Sequence, residues 1–327
     1  MGRILGKSIF VAGAALALSF AALPVAAQNG QKLDQLKIAV GARGAYENQI
    51  SEVGQQHGFF KKRGLELEVL YTNGGGESLQ AVISGSVDIG ISIGTLGALG
   101  AYAKGAPIRV LANSMVGPYE FWYVRADSPI KSFKDAAGKT VAFSTKGSST
   151  YLMLLTLQEQ FGIKTEPTAT GNPIATLTQV MSGQIDVGYT TPPLALDALG
   201  AGKIRRIARS DDIPAMAKQT VRFVLVNADA LAKRPDVFRR YMQSYRDVID
   251  WMYASPDAIP AYAKWAGVTE DVAKWTRDDY VPKDRANPDR IAGLNEMMAD
   301  AITYKFLSSP LTSEQLKTLI QLQEPIK

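Results

Sequence analysis

The chain has 327 residues, no cysteine, one histidine and a formal net charge of +5, with 46% hydrophobic and 20% charged residues. Without cysteine there is no thiol catalysis, no disulfide, no cysteine-bound metal and no lipid-bearing cysteine of a bacterial lipoprotein. Basic and acidic residues are interspersed, with neither a Lys/Arg stripe nor a recognition-helix motif, which argues against a nucleic-acid partner, and the length suits two domains with real cores.

In chain order the first segment reads as an export signal. Arg3 and Lys7 give a charged start, Ile9 to Ala22 an apolar run, and Val25-Ala26-Ala27 a small-residue cleavage site. The run is shorter than the roughly 20 apolar residues of a spanning helix, and Pro24 interrupts it. Residues 1–27 are therefore expected to be removed, leaving a chain that starts near Gln28, carries no membrane anchor and is retained in the periplasm behind an outer membrane.

The remaining chain contains a duplication, which constrains architecture before any element is assigned. Ser78-Leu79-Gln80-Ala81-Val82-Ile83-Ser84-Gly85-Ser86-Val87-Asp88-Ile89-Gly90 matches Thr176-Leu177-Thr178-Gln179-Val180-Met181-Ser182-Gly183-Gln184-Ile185-Asp186-Val187-Gly188. A similar shift pairs Ile38-Ala39-Val40 and Arg43-Gly44 with Val141-Ala142-Phe143 and Lys146-Gly147, and Gly74 with Gly171. It also pairs Ile108 to Ser114 with Ile204 to Ser210, and Val124 to Asp127 with Val226 to Asp229.

Each copy alternates a β-rich run, a glycine-containing loop, a helical segment and another β-rich run, which predicts an α/β lobe with a mainly parallel sheet. The helices at Leu79 to Ser84 and in its copy end at Gly85 and Gly183, where a left-handed residue is wanted. Asp88 and Asp186 read as turn carboxylates bonded to nearby backbone. Glu120 to Asp127 and Thr220 to Asp229 read as crossover strands that double as a hinge. Beyond them the chain is helical over Pro235 to Ala254, Pro256 to Ala266, Thr269 to Trp275 and Pro288 to Leu307. A last helix opens at Thr312 with a capping box completed by Gln315. The expected division is lobe I over 28–119 and 222–327, with the C-terminal helices, and lobe II over 120–221. Tyr241, Tyr245, Trp251 and Tyr262 read as core packing.

In parallel α/β sheets ligands sit beyond the carboxyl ends of the strands, where loops run into helix N-termini. Six loops therefore line one shared cleft: Arg43 to Glu47, Gly74 to Glu77 and Ser92 to Thr95, facing Ser144 to Ser149, Gly171 to Asn172 and Tyr189 to Thr191. Candidate ligand contacts are Arg43, Tyr46, Gly74, Gly75, Ser92 and Thr95 on one wall, and Lys146, Gly147, Ser148, Ser149, Asn172, Tyr189 and Thr190 on the other. Arg43 and Lys146 hold matching positions, so an anion could bridge them. Ser148 and Ser149 open the helix from Tyr151 to Gln160, whose free N–H groups and positive end suit an oxyanion. Tyr46 and Tyr189 offer apolar faces with a hydroxyl handle.

Several segments together resemble a known family. They are Gly58-Phe59-Phe60-Lys61-Lys62-Arg63-Gly64-Leu65-Glu66-Leu67-Glu68-Val69, Gly74-Gly75-Gly76, the Ser-Gly-x-x-Asp-x-Gly pattern ending at Gly90, Lys104-Gly105-Ala106-Pro107-Ile108, and Gly138 to Ala142 with Gly147-Ser148-Ser149. The chain is similar over nearly all its mature length to the periplasmic binding proteins of ABC importers for nitrate, sulfonates and taurine, which are related to binders of thiamine-pyrimidine precursors. The resemblance implies a two-lobed type II periplasmic-binding-protein fold with duplicated, mainly parallel sheets, hinge strands and a helical C-terminal extension. It further implies hinge closure on one small-molecule ligand and delivery to an ABC importer permease with its ATPase. A monomer is expected. The pyrimidine synthase relatives rely on a cysteine-rich motif and histidine, and this chain departs from them in having no cysteine and only His57.

No cofactor or metal is expected. Gly74-Gly75-Gly76 lacks Walker spacing and a Rossmann pattern, and His57, followed by Gly58, reads as a helix-end residue. The cleft loops offer only Glu47 and Glu77 as acids, which favours binding without catalysis. An exported α/β enzyme, or a ligand-sensing subunit of a signalling system, would use the same cleft and stand as the alternatives.

Overall fold

The computed structural model describes Met1, Gly2 and residues 32–326, so the signal-peptide segment lies outside the described residues. The first half runs β1 (Asp34–Val40), α1 (Ile50–Gln56), β2 (Leu65–Tyr71), α2 (Gly75–Ile83), β3 (Ile89–Gly94), α3 (Thr95–Ala103), β4 (Ile108–Val116). The second runs β5 (Phe121–Arg125), β6 (Thr140–Phe143), α4 (Ser149–Phe161), β7 (Glu166–Ala169), α5 (Pro173–Met181), β8 (Gly188–Thr190), α6 (Leu196–Gly200), β9 (Ile204–Arg209). The chain then continues through β10 (Thr220–Asn227), α7 (Ala228–Lys233), α8 (Pro235–Ala254), α9 (Ala258–Ala266), α10 (Glu270–Trp275), α11 (Leu294–Thr303) and α12 (Ser313–Leu319).

The duplication is visible in strand order. One sheet is β2-β1-β3-β10-β4, parallel across β2, β1 and β3 and antiparallel on both sides of β10. In the other half β7 and β6 pair in parallel, a parallel bridge joins Val141 to Val187 at the start of β8, and β5 runs antiparallel between β8 and β9. The order β7-β6-β8-β5-β9 thus repeats the first sheet. The segments expected as crossover strands are strands, the inserted antiparallel one of each sheet: β5 and β10 are completely or largely buried, because an apolar run between two strands is covered on both faces. The crossings themselves lie just before them, at 117–120 and 210–219. There the Gly117 N–H bonds the Gln219 carbonyl at 2.8 Å, and the Ser210 N–H bonds the Glu120 carbonyl at 2.9 Å.

Asp88 and Asp186 do bond backbone, but across to the first strand of each sheet, to the N–H of Lys37 at 2.9 Å and of Thr140 at 3.0 Å. α8 lays Phe238, Tyr241, Met242, Tyr245, Val248 and Met252 on the first half, a helical stripe whose full burial is worth roughly 1.5–3 kcal/mol for each large apolar side chain. Gly54 lets α1 approach it, since a Cβ there would stand 2.5 Å from Val248. Tyr262 is buried as well, while Trp251 is half-buried and its ring lies 4.6 Å from that of His57, the C-cap residue of α1. The Thr312–Gln315 capping box opens α12. The helix expected from Pro288 is shorter and begins at Leu294, because Asn113 on β4 holds the carbonyls of Asn287 and Pro288 at 2.9 Å each and keeps that segment out of a helix. Among the described residues no helix is long and apolar enough to cross a membrane.

Candidate functional site

Loops from both sheets line a cavity of about 50 Å³. Its first wall is Gly41, Ala42, Glu47 and Asn48 after β1, Gly74 and Gly75 at the start of α2, and Ser92 on β3. Its second wall is Ser144, Ser148, Ser149 and Thr150 at the start of α4, Pro173 on α5, and Tyr189 and Thr191 at the end of β8. Arg222 on β10 closes the floor.

The floor is an ion cluster almost wholly removed from water. Arg222 sets its Nη1 3.0 Å from Glu47 Oε1, pairs its Nη2 with Glu120 Oε1, and donates from Nε to Ser149 Oγ at 2.9 Å. The side chains of Arg222, Glu47 and Glu120 are 5%, 2% and 0% exposed. Tyr119 donates its hydroxyl to Glu47 Oε2 and its backbone N–H to Glu120 Oε2, and lies with its ring 5.3 Å from the guanidinium carbon. Burial, then the Glu47 charge, pushes the Tyr119 phenol well above its usual range. Burial alone would lower the Arg222 pKa, but Glu120 and Glu47 override it and hold the guanidinium charged.

The cavity gathers six of the expected contacts: Gly74, Gly75, Ser92, Ser148, Ser149 and Tyr189. Gly74 has φ 152°, a conformation that glycine tolerates. Ser148 is the N-cap of α4, accepting the Tyr151 N–H at 3.2 Å, and also bonds the Thr150 hydroxyl. Ser149 Oγ is shared between Arg222 and Glu120.

The other seven do not line it. Arg43 stands outside, 3.6 Å from Glu52 and over the rings of Tyr71 and Trp265, because an exposed cation finds a carboxylate and two aromatic faces there. Lys146 borders a different groove with Leu79, Gln80 and Phe306. Tyr46 is core, edge-on to Tyr262 with ring centroids 4.7 Å apart. Thr95 is buried at the start of α3, and Thr190 is buried with its hydroxyl on the Leu194 carbonyl. Gly147 packs against α3, where the Gly97 N–H reaches its carbonyl at 3.0 Å. Asn172 caps α5 and reaches Asn73 at 3.4 Å on the outer side of the cleft.

Arg222, Glu120 and Thr191 complete the site although none was expected as a contact. A charge inside each apolar strand run, Glu120 before Phe121-Trp122 and Arg222 before Phe223-Val224, was the available signal of a buried pair. Among the described residues no group of three or more His, Asp or Glu side chains is arranged to hold a metal.

These two repeated sheets with a cavity between their loops have the fold of periplasmic binding proteins. The structure overlays on the alkanesulfonate-binding protein SsuA of Xanthomonas axonopodis pv. citri bound to MOPS with TM-score 0.72, at 19% identity, covering 88% of this chain and 98% of that one. The chain belongs to the NMT1/THI5 like family, whose profile matches residues 51–259. Among curated proteins it is 20% identical over 221 residues to the 4-amino-5-hydroxymethyl-2-methylpyrimidine phosphate synthase THI5 of Saccharomyces cerevisiae, covering 62% of this chain and 63% of the relative. It is 29% identical over 167 residues to a putative aliphatic sulfonates-binding protein of Escherichia coli, covering 49% and 51%. The chain thus spans less than two thirds of the length of the curated relatives it matches.

Proposed function

We propose that this protein is the periplasmic solute-binding component of an ABC-type importer. Its two lobes, 28–119 with 222–327 and 120–221, close on one small molecule and present it to a permease with its ATPase. The observation that carries the reading is the cavity between the two sheets, lined from both by hydroxyls, glycines and a buried ion cluster. The relatives named as sulfonate-binding support a solute-binding role and bring sulfonates as candidate solutes, beside the taurine and nitrate that the sequence resemblance suggests. The names of the yeast relatives favour a second reading, an enzyme using the same cavity. That reading lacks a histidine on the cavity wall to activate its hydroxyls, and Glu47, the one acid there, is already bound by Arg222 and Tyr119.

The test is a thermal-shift screen of the mature protein against a broad library of small metabolites, followed by incubation of each hit. A ligand at a hundredfold excess over Kd stabilises the native state by roughly 2.7 kcal/mol. The expected result is a clear shift with a chemically related set of solutes, recovered unaltered. Turnover of a hit would support the enzymatic reading, and no shift with any solute would defeat both.

A further inference from the structure

We propose that the cavity takes a small organic cation, an ammonium or amidinium ion, and that Glu47 is its counter-charge. This rests on the solute-binding reading and specifies what that site selects. One guanidinium and two carboxylates are buried together, so the cluster retains one uncompensated negative charge. The two carboxylates are not equivalent: Glu120 lies off the cavity wall, held by Arg222, Ser149 and the Tyr119 N–H, whereas Glu47 lines the cavity. Arg222 is shared between Glu120 and Glu47, and of the two carboxylates only Glu47 borders the cavity. A buried cluster that keeps a net charge is costly. A monocation cancels that charge, while an oxyanion would set a second negative charge beside Glu47.

Part of what an oxyanion would use is spent within the protein. Arg43 and Lys146 lie outside the cavity. Ser148 Oγ caps Tyr151, and Asn172 caps Ala175. Thr145 Oγ1 takes the Gly76 N–H at 3.0 Å, and Pro173, first residue of α5, has no N–H to give. Acceptors for a nitrogen donor remain. Beside the Glu47 carboxylate, the Thr191 hydroxyl lines the cavity at 6% exposure and has no hydrogen-bond partner among the described residues.

Titration calorimetry on the mature protein with acetamidinium and methylammonium chlorides, against sodium nitrate and sodium methanesulfonate, tests this. The expected result is binding of a cation and of neither anion, weakened roughly tenfold or more by Glu47→Gln. Thr191→Val, which leaves the ion cluster intact, should weaken cation binding several-fold and decides the matter if Glu47→Gln does not fold. Binding of nitrate or methanesulfonate without the cations would overturn the charge assignment while leaving the solute-binding reading in place. So would binding of only larger or neutral members of the metabolite library. No binding by any of them would overturn both.

Discussion

Arg222 answers two carboxylates at once, so its removal leaves both without a cation in a site closed to water. Breaking such a pair from one side costs about 3–5 kcal/mol, because the surviving charge stays buried. Arg222→Met is therefore expected to lower the unfolding free energy by that order in a urea titration. Arg222→Lys should fall between, since a point charge cannot serve Glu47, Glu120 and Ser149 from one planar fork. A second residue-scale effect lies at the rim of the cleft. Burial would raise the Glu52 pKa, but hydrogen bonds from Tyr71 and Trp265 and the charge of Arg43 bring it below the usual carboxylate value. Its ionised form is thus favoured in the folded state. The stability this confers is present above the ordinary glutamate pKa of about 4.3 and is lost as pH falls below it through the folded value. Glu52→Gln should show a shallower loss of melting temperature between about pH 5 and 3 than the unaltered protein.

At the level of elements, the two halves touch through backbone. Gly94, ahead of α3, has φ −61°, which any residue adopts, yet a Cβ on it would stand 2.4 Å from the Gly147 carbonyl oxygen. Gly94→Ala is therefore a clean block of this contact without strain in its own backbone. It is expected to weaken ligand binding and to raise the radius of gyration at saturating ligand, because the two backbones must move apart to admit the methyl group. Equal compaction of the variant would mean that the contact is dispensable. Much of this level was legible in the sequence, because glycine stops, the Asp-x-Gly pattern and apolar strand runs are local signals that recur in both copies. The side chains of the cavity were less legible. Ser148 was recognisable as a cap from its setting, but whether its hydroxyl also faced a ligand depended on Thr150 and Tyr151 folding back onto it. Arg43 and Tyr46 sat in the right loop, and only the tertiary placement of Trp265 and Tyr262 turned them away from the cavity.

For the whole molecule, export and closure are the properties to measure. The mature protein is expected in the periplasmic fraction with an intact mass that starts at or near Gln28. Recovery only with membranes and with Met1 retained would defeat the export reading. Closure should appear as compaction in small-angle scattering when a ligand identified in the screen is added, with rotation taken up at 117–120 and 210–219, where the chain crosses twice between the sheets.

Glu120 and Arg222 stand 102 positions apart and pair with each other. They also occupy equivalent places in the duplication, each immediately ahead of a phenylalanine on the inserted antiparallel strand. The repeat is symmetric in backbone and antisymmetric in charge at this one point. Two copies of the first half would set arginine against arginine, and two copies of the second glutamate against glutamate. Each half is therefore electrically mated to the other and incompatible with itself, so the pair disfavours the docking of two like halves, first against first or second against second.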